Sequence, residues 1–558
     1  LLWLLVAIVW PGASRAPAQE SLSPAQQVDL LLASMTTEQK IGQLFMSNIG
    51  ERQITPGTVE FFGTFQPGAV ALFARNTQTR TPGEVAAFIN GLQQAITAGG
   101  GPPLIVAIDQ EGGRVRRLYN GVTHFPDPLM LGASTQPDAA QAVGAASGAE
   151  LAALGINMNL APVADLATEG DLRNIERVMH RRTWGDDPAR VGWQTAAYIN
   201  GMRAAGVIGV LKHYPGHGGA ADSHATLPRI DASPEDAALA RHAFTAAIDQ
   251  GARAVMVGHL YYAQIEPMPD LPATLSPTQI GILRDDVGFD GVIMTDALDM
   301  AAIAERYTLP DAALRFLLAG GDMVVVGPFV NWDTQRRIAE RILAAVEDGT
   351  LGEDRLNQSV RRILLLKADY DLLDWVPLDP ATVEIDLAGS RTALYEAYAE
   401  GATLLRDAGE HIPFSADDNL AIVYPIYDEA IRETCARHHP GAAWHGYTLN
   451  PARWEYGAVA NLAATYDHVI MFTHDAYLNE AHTRLVNLLD PANITLVALG
   501  LPFDLLRWEE TSGALALYSH HPMGQVAACD ALFGVRPIRG QLPLALGDYA
   551  SGAGLQRP

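Results

Sequence analysis

Three features of the sequence predict an α/β protein whose larger, N-terminal part is an eight-stranded (β/α)8 barrel of the TIM type, followed by a smaller α/β domain. Short apolar runs alternate with Ala-rich stretches of helical period from about residue 40 to 330, the pattern of parallel βα units. Polar residues gather where those runs end. New apolar runs then start beyond residue 400, past a Pro- and Asp-bearing stretch. At 558 residues the chain also exceeds what a single hydrophobic core usually serves.

Taken in order, residues 1–18 open with LLWLLVAIVW, apolar but too short to span a bilayer, and end in Ala16-Pro17-Ala18, small residues suited to cleavage before Gln19. The expectation is a signal peptide with a truncated start, hence an exported protein of extracytoplasmic (secreted or periplasmic) location. Residues 24–371 form the expected barrel. Its strand candidates are 41–49, 70–73, 104–108, 156–161, 207–211, 254–257, 291–294 and 323–326. Helix candidates lie between them at 137–154, 188–205 and 234–250, the last with Ser233 as N-cap and Pro234 at the first helical position. By pattern alone an open, doubly wound sheet fits as well. A helical stretch over 331–370 closes this part. Residues 372–389 read as a linker, and 390–548 as the second domain, with strands at 420–424, 468–472, 494–499 and 514–518.

Composition narrows the function. A formal net charge of −25 argues against a nucleic-acid or anionic-membrane partner, since both need a Lys/Arg-rich face. No segment after the leader has the uninterrupted apolar length of a membrane span. Cys435 and Cys529 are far apart in sequence and show no CxxC pattern, which favours two free thiols over a bridge. The second domain carries no Gly-rich phosphate loop, so no nucleotide site is expected there, and no cofactor is expected for the chain. A monomer or weak oligomer acting on a small substrate is the expected state.

The chemistry should lie at the C-terminal strand ends, where Asp109, His213, His259 and Asp296 follow apolar runs. The densest cluster is Lys212-His213-Tyr214-Pro215-Gly216-His217, read as a loop leaving the fifth strand, followed by Asp222-Ser223-His224. His213 and His217 have zinc-like HxxxH spacing, but Pro215 and Gly216 break the helix that spacing needs, so no metal site is expected. An Asp-x-His pair on an extended loop places Asp222 and His224 on one side, where the carboxylate can orient the imidazole as a proton shuttle. The alternative for His224 is a loop-packing role. Asp296, after a strongly apolar strand, is either a site carboxylate or the N-cap of the next helix. Asp109, before Gly112-Gly113, suits a ligand with vicinal hydroxyls, for which Arg117, Arg182 and Lys212 could supply charged donors.

Together, AIDQEGGRV (107–115), GINMNLAPVADL (155–166), RTWG (182–185), LKHYPGHGGAADSHATLP (211–228), LPATLSPTQIGILRDDVGFDGVIMTDALDM (271–300) and AGGDMVVVG (319–327) resemble glycoside hydrolase family 3. Within it they resemble the β-N-acetylglucosaminidase branch, to which the KH-x-PGHG…DSH-x-x-LP loop points. The resemblance implies Asp296 as nucleophile of a retaining exo-glycosidase and His224 as acid/base assisted by Asp222. It further implies Asp109, Arg117, Arg182, Lys212 and His213 as sugar-binding residues. ATLLRD (402–407) and ALFGVRPIRGQLPLAL (531–546) are similar to the family's C-terminal α/β sandwich. The sequence departs from the family at His180-Arg181, where Gly and a variable residue are usual, and at Thr183-Trp184 in place of Ser-Phe. The implied substrate is a terminal β-linked N-acetylhexosamine of muropeptides or chitin-type oligosaccharides. A β-glucosidase or β-xylosidase of the same family, or an inactive sugar-binding protein, are the competing expectations.

Overall fold

The computed structural model describes residues 22–167, 181–218 and 221–558. The leader expected over 1–18 lies outside the described residues, as does His180.

Eight strands follow in sequence around one parallel sheet: β1 (Phe45–Asn48), β2 (Ala69–Leu72), β3 (Ile105–Ile108), β4 (Met158–Asn159), β5 (Ile208–Tyr214), β6 (Ala254–Val257), β7 (Val292–Thr295) and β8 (Val324–Val325). β8 pairs back onto β1, and a parallel bridge from Met294 to Met323 joins β7 to the start of β8, so the sheet comes round to meet itself as a TIM-like barrel. That geometry replaces the open sheet left in play by the apolar pattern. β4 and β8 are only two residues long. Side chains extend the short pairing at β4: the Asn159 amide exchanges two hydrogen bonds with the Gln110 backbone, and Asn157 Oδ1 accepts from the Val106 N–H.

The intervening helices start from sequence-encoded caps. Pro234–Asp249 begins after Ser233, whose hydroxyl accepts from the Asp236 N–H, with Pro234 in the first turn. Pro137–Ala153 and Pro188–Ala204 begin the same way with proline. Two helices, Trp332–Glu347 and Glu353–Asp369, occupy the stretch read as one closing segment. No helix of the described residues is long and apolar enough to cross a membrane.

The second unit is a six-stranded sheet of β9 (Thr403–Asp407), β10 (Leu420–Pro425), β11 (Ala443–Tyr447), β12 (His468–Thr473), β13 (Ile494–Ala498) and β14 (Gly513–Ala516). The order across it is β9-β14-β13-β12-β10-β11, parallel except for the β9–β14 pair. Its inner strands obey the period-two rule between two buried faces. Ala421, Val423, Val469, Met471, Leu496 and Ala498 join the core that runs through the barrel, while Ile422, Ile470, Phe472 and Val497 join a separate core on the other face. The chain end returns to this unit, where Leu555 bridges Leu404 and Arg557 bridges Ile538. Helix Leu387–Gly401 packs on barrel helix Pro137–Ala153.

The expectation of two free thiols is wrong: Cys435 and Cys529 form a disulfide. Helices Glu429–His438 and Pro522–Leu532 cover one sheet face side by side, and their packing brings the two Cα atoms to 5.0 Å. A sequence separation of 94 residues carries no local signal of such a pairing. Closing a loop of that length removes much denatured-state entropy, on the order of 4 kcal/mol. Denaturant unfolding of the second domain with and without a phosphine reductant is expected to show a loss of that size; coincident curves would mean the bridge adds no stability.

Candidate active site

At the C-terminal end of the barrel lies a cleft of ≈ 510 Å³ that brings together the eight residues expected to act in catalysis or sugar binding: Asp109, Arg117, Arg182, Lys212, His213, Asp222, His224 and Asp296; the strand-end His259 is not among its lining. Each arrives by a traceable route. Asp109 is the first residue after β3 and Asp296 the first after β7. The Asp296 N–H donates to Val257 of β6 and the Leu298 N–H to Val325 of β8, which seats the carboxylate between neighbouring strands. Asp296 caps no helix, since the next one, Ala301–Ala304, starts from Met300.

β5 runs on through Tyr214, so Lys212 and His213 belong to the strand and the loop starts at Pro215. This corrects the reading of the whole 212–217 cluster as loop. The polar side chains masked a segment whose backbone is paired: the Lys212 N–H donates to Pro162, and Tyr214 accepts from the Gly258 N–H.

Two charge networks floor the cleft. In the first, Glu111 is buried and takes a two-pronged contact from Arg182 (Nε–Oε2 and Nη2–Oε1, each 2.8 Å) plus Lys212 Nζ at 2.6 Å. Burial alone would raise the Glu111 carboxyl; the Arg182 and Lys212 cations outweigh it and hold the pKa far below the usual carboxylate range. Lys212 is also 3.0 Å from Asp109 Oδ1, and Arg117 Nη2 lies 3.3 Å from Asp109 Oδ2. Burial works against the charged lysine, but Asp109 and Glu111 more than offset it and raise its pKa, so it stays cationic.

In the second network the buried Asp165 carboxylate accepts from three N–H groups: the His213 backbone, His213 Nδ1 at 2.8 Å and the His217 backbone at 2.6 Å. Despite burial, His213 and His217 keep its pKa low. Asp165 thus holds the His213 ring in place and fixes Nδ1 as a proton-bearing nitrogen.

Asp296 itself is half-buried and accepts from the Ala297 N–H at 2.7 Å. Burial would push its carboxyl up, yet His213, His259, that N–H and Lys212 pull it below its ordinary value, so it is anionic at neutral pH. His259 is fully buried, with Nε2 donating to Ala297 O at 2.9 Å. Three residues on, Asp299 also lines the cleft, its carboxyl pushed up by burial and, to a lesser degree, by Asp296.

On the open side, Asp222 Oδ1 accepts from both His224 Nδ1 and the His224 backbone N–H, each at 2.9 Å. Burial is the largest single influence and would raise the Asp222 pKa, but the hydrogen bonds and charge of His224 together outweigh it and lower it. The His224 side chain is 73% exposed.

A family model described as the N-terminal domain of glycosyl hydrolase family 3 matches residues 36–366, more than half of the chain. The chain belongs to glycosyl hydrolase family 3. Among its relatives, a beta-hexosaminidase of Alkalilimnicola ehrlichii is 39% identical over 270 residues, covering 46% of this chain and 73% of that protein. Beta-hexosaminidase A of Pseudoalteromonas piscicida is 30% identical over 426 residues, 67% of this chain and 69% of that one. A solved family 3 beta-N-acetylglucosaminidase from Paenibacillus sp. str. FPU-7 superposes with a TM-score of 0.77 at 28% identity, covering 92% of this chain and 99% of the other. These similarities make this family 3 chain a glycoside hydrolase.

The departures at Arg181, Thr183 and Trp184 leave Arg182 in the site. Trp184 is fully buried, edge-on to Tyr198 at 5.6 Å between ring centres, so the larger aromatic is taken up in the core. Sequence reasoning missed Glu111, Asp165 and Asp299. Glu111 stands two residues from Asp109 in a segment already singled out, but its importance rests on cations from two segments distant in sequence, Arg182 and Lys212 of β5. Among the described residues one group is spaced to share a metal ion, His474, Asp475 and His520, and it lies outside the cleft on the second domain. Arg181 already engages that Asp475 at 2.9 Å.

Proposed function

We propose that the chain is a retaining exo-β-N-acetylhexosaminidase that works through a covalent glycosyl-Asp296 intermediate, with His224 as acid/base and Asp222 as its positioning partner. The observation that carries this reading is the 2.9 Å contact of Asp222 with His224 Nδ1 on the cleft that also holds an anionic Asp296. In glycosylation the Asp296 carboxylate forms a bond to C1 as the glycosidic C1–O bond breaks, and His224 Nε2 passes its proton to the departing oxygen. In deglycosylation the now neutral Nε2 takes a proton from water, whose oxygen attacks C1 and releases Asp296. A histidine base avoids a second anion beside Asp296, and Asp222 keeps the Nδ1–H tautomer so that Nε2 faces the reaction.

Asp109 is the acceptor for sugar hydroxyls, held ready by Arg117 and Lys212. Arg182 and His213 complete the binding set. The names of the beta-hexosaminidase relatives and of the solved beta-N-acetylglucosaminidase support N-acetylhexosamine as the terminal sugar, with muropeptides or chitin-type oligosaccharides as its source. Export to an extracytoplasmic compartment, with a role in peptidoglycan recycling, fits both the apolar leader and the Cys435–Cys529 bridge, which persists under oxidising conditions.

Turnover of 4-nitrophenyl β-N-acetylglucosaminide against 4-nitrophenyl β-glucoside tests the substrate. A kcat/KM at least about 100-fold higher with the acetamido group is expected, since hydrogen bonds to a substrate group that are lost in its analogue carry discrimination of this order or more. Faster cleavage of the glucoside would make the chain a β-glucosidase, and turnover of neither would overturn the N-acetylhexosaminidase reading.

A further inference from the structure

The loop after β8 carries a feature that the proposed mechanism leaves unused. Phe329 is 87% exposed, yet its backbone is tied down: its N–H donates to Asp299 Oδ2 at 3.0 Å, and Arg75 Nη2 donates to the neighbouring Pro328 carbonyl at 2.7 Å. Gly327 is needed for this approach, because a Cβ there would stand 1.5 Å from Asp299 Oδ1. Asp299 in turn lies three residues beyond Asp296, so the backbone that carries the aromatic ring is anchored to the segment of the proposed nucleophile. Pro328 and Phe329 line the cleft and also a second cavity of ≈ 470 Å³, and they form the wall common to the two. Glu51, Arg75 and Asn331 give that second cavity hydrogen-bonding groups of both kinds.

An exposed phenylalanine is unremarkable alone, but one fixed on the rim of a sugar cleft presents a flat apolar face where the leaving group must pass. Pyranose rings carry C–H groups on one face and hydroxyls round the edge, which suits an aromatic ring backed by polar walls. We propose that Phe329 is the stacking platform for the leaving-group sugar and that the adjoining cavity receives the next sugar of that leaving group, which makes the enzyme selective for oligosaccharides. This rests on the glycosidase reading above.

The test compares substrates with and without a leaving-group ring. For Phe329→Ala, the ratio of kcat/KM on chitobiose to kcat/KM on N-acetylglucosaminyl fluoride is expected to fall about tenfold relative to the parent enzyme, and Phe329→Trp to restore it. Chitotriose should show a larger fall than chitobiose, because its extra sugar reaches the second cavity. A ratio unchanged by Phe329→Ala, or one that Phe329→Trp fails to restore, overturns the platform. Running cellobiose and glucosyl fluoride in parallel separates the two ideas: turnover of only the gluco pair removes the N-acetylhexosamine reading while the same ratio still judges Phe329. Turnover of neither pair by the parent enzyme overturns both.

Discussion

Asp296→Ala is expected to abolish turnover, by roughly 10⁴-fold or more, on every glycoside tested, aryl or natural. The size follows from what the carboxylate is asked to do. In the proposed mechanism C1 would then have no nucleophile on that face, and the surrounding positive groups, Lys212 among them, would lose the anion they are arranged around. Leaving-group activation cannot compensate, because the missing step is bond formation. A 5-fluoro N-acetylglucosaminyl fluoride should label Asp296 in the parent enzyme, read by peptide mass spectrometry. A label found reproducibly on another carboxyl lining the cleft, such as Asp299, would reassign the nucleophile.

His224→Ala should show a different profile. An aryl leaving group of low pKa departs with little protonation, so glycosylation by activated substrates slows only modestly, whereas a sugar leaving group loses roughly 10²–10⁴-fold. Water activation is lost on every substrate. The covalent intermediate therefore builds up on activated substrates, with a pre-steady-state burst, and azide, which needs no deprotonation, speeds turnover. Asp222→Ala follows the same trend with a smaller loss, since its carboxylate acts through the 2.9 Å contact to Nδ1. Equal losses on activated and natural substrates, without burst or azide rescue, would shift the acid/base role to Asp299, whose carboxyl is raised by burial and by Asp296, as a proton donor requires.

How far the fold and the cleft were legible depended on where the determining interactions lie. The barrel strands announced themselves because each is buried on both faces and reads as a short apolar run. The second half of β5 did not, since Lys212 and His213 are polar and the strand passes through a register shift there before pairing again at Tyr214. The edge strands β9 and β11 were passed over as well. β11, Ala443–Tyr447, is half-exposed along most of its length and so carries little apolar signal. Asp109 and Asp296 could be picked out because they terminate apolar runs. The weight on Glu111 and Asp165 comes from partners 50 to 100 positions away, and the Cys435–Cys529 pair is likewise invisible until two helices are packed together.

Arg181 and Arg182 are adjacent in the chain yet serve opposite neighbours. The Arg181 guanidinium reaches Asp475 of the second domain at 2.9 Å and Asp127 of the barrel at 3.8 Å, while Arg182 turns into the cleft to clamp Glu111. One peptide unit thus joins the seam between the domains to the floor of the sugar cleft. Among the described residues the second domain lines none of that cleft, yet it is tied through Arg181 to the residue next to the arginine that clamps Glu111.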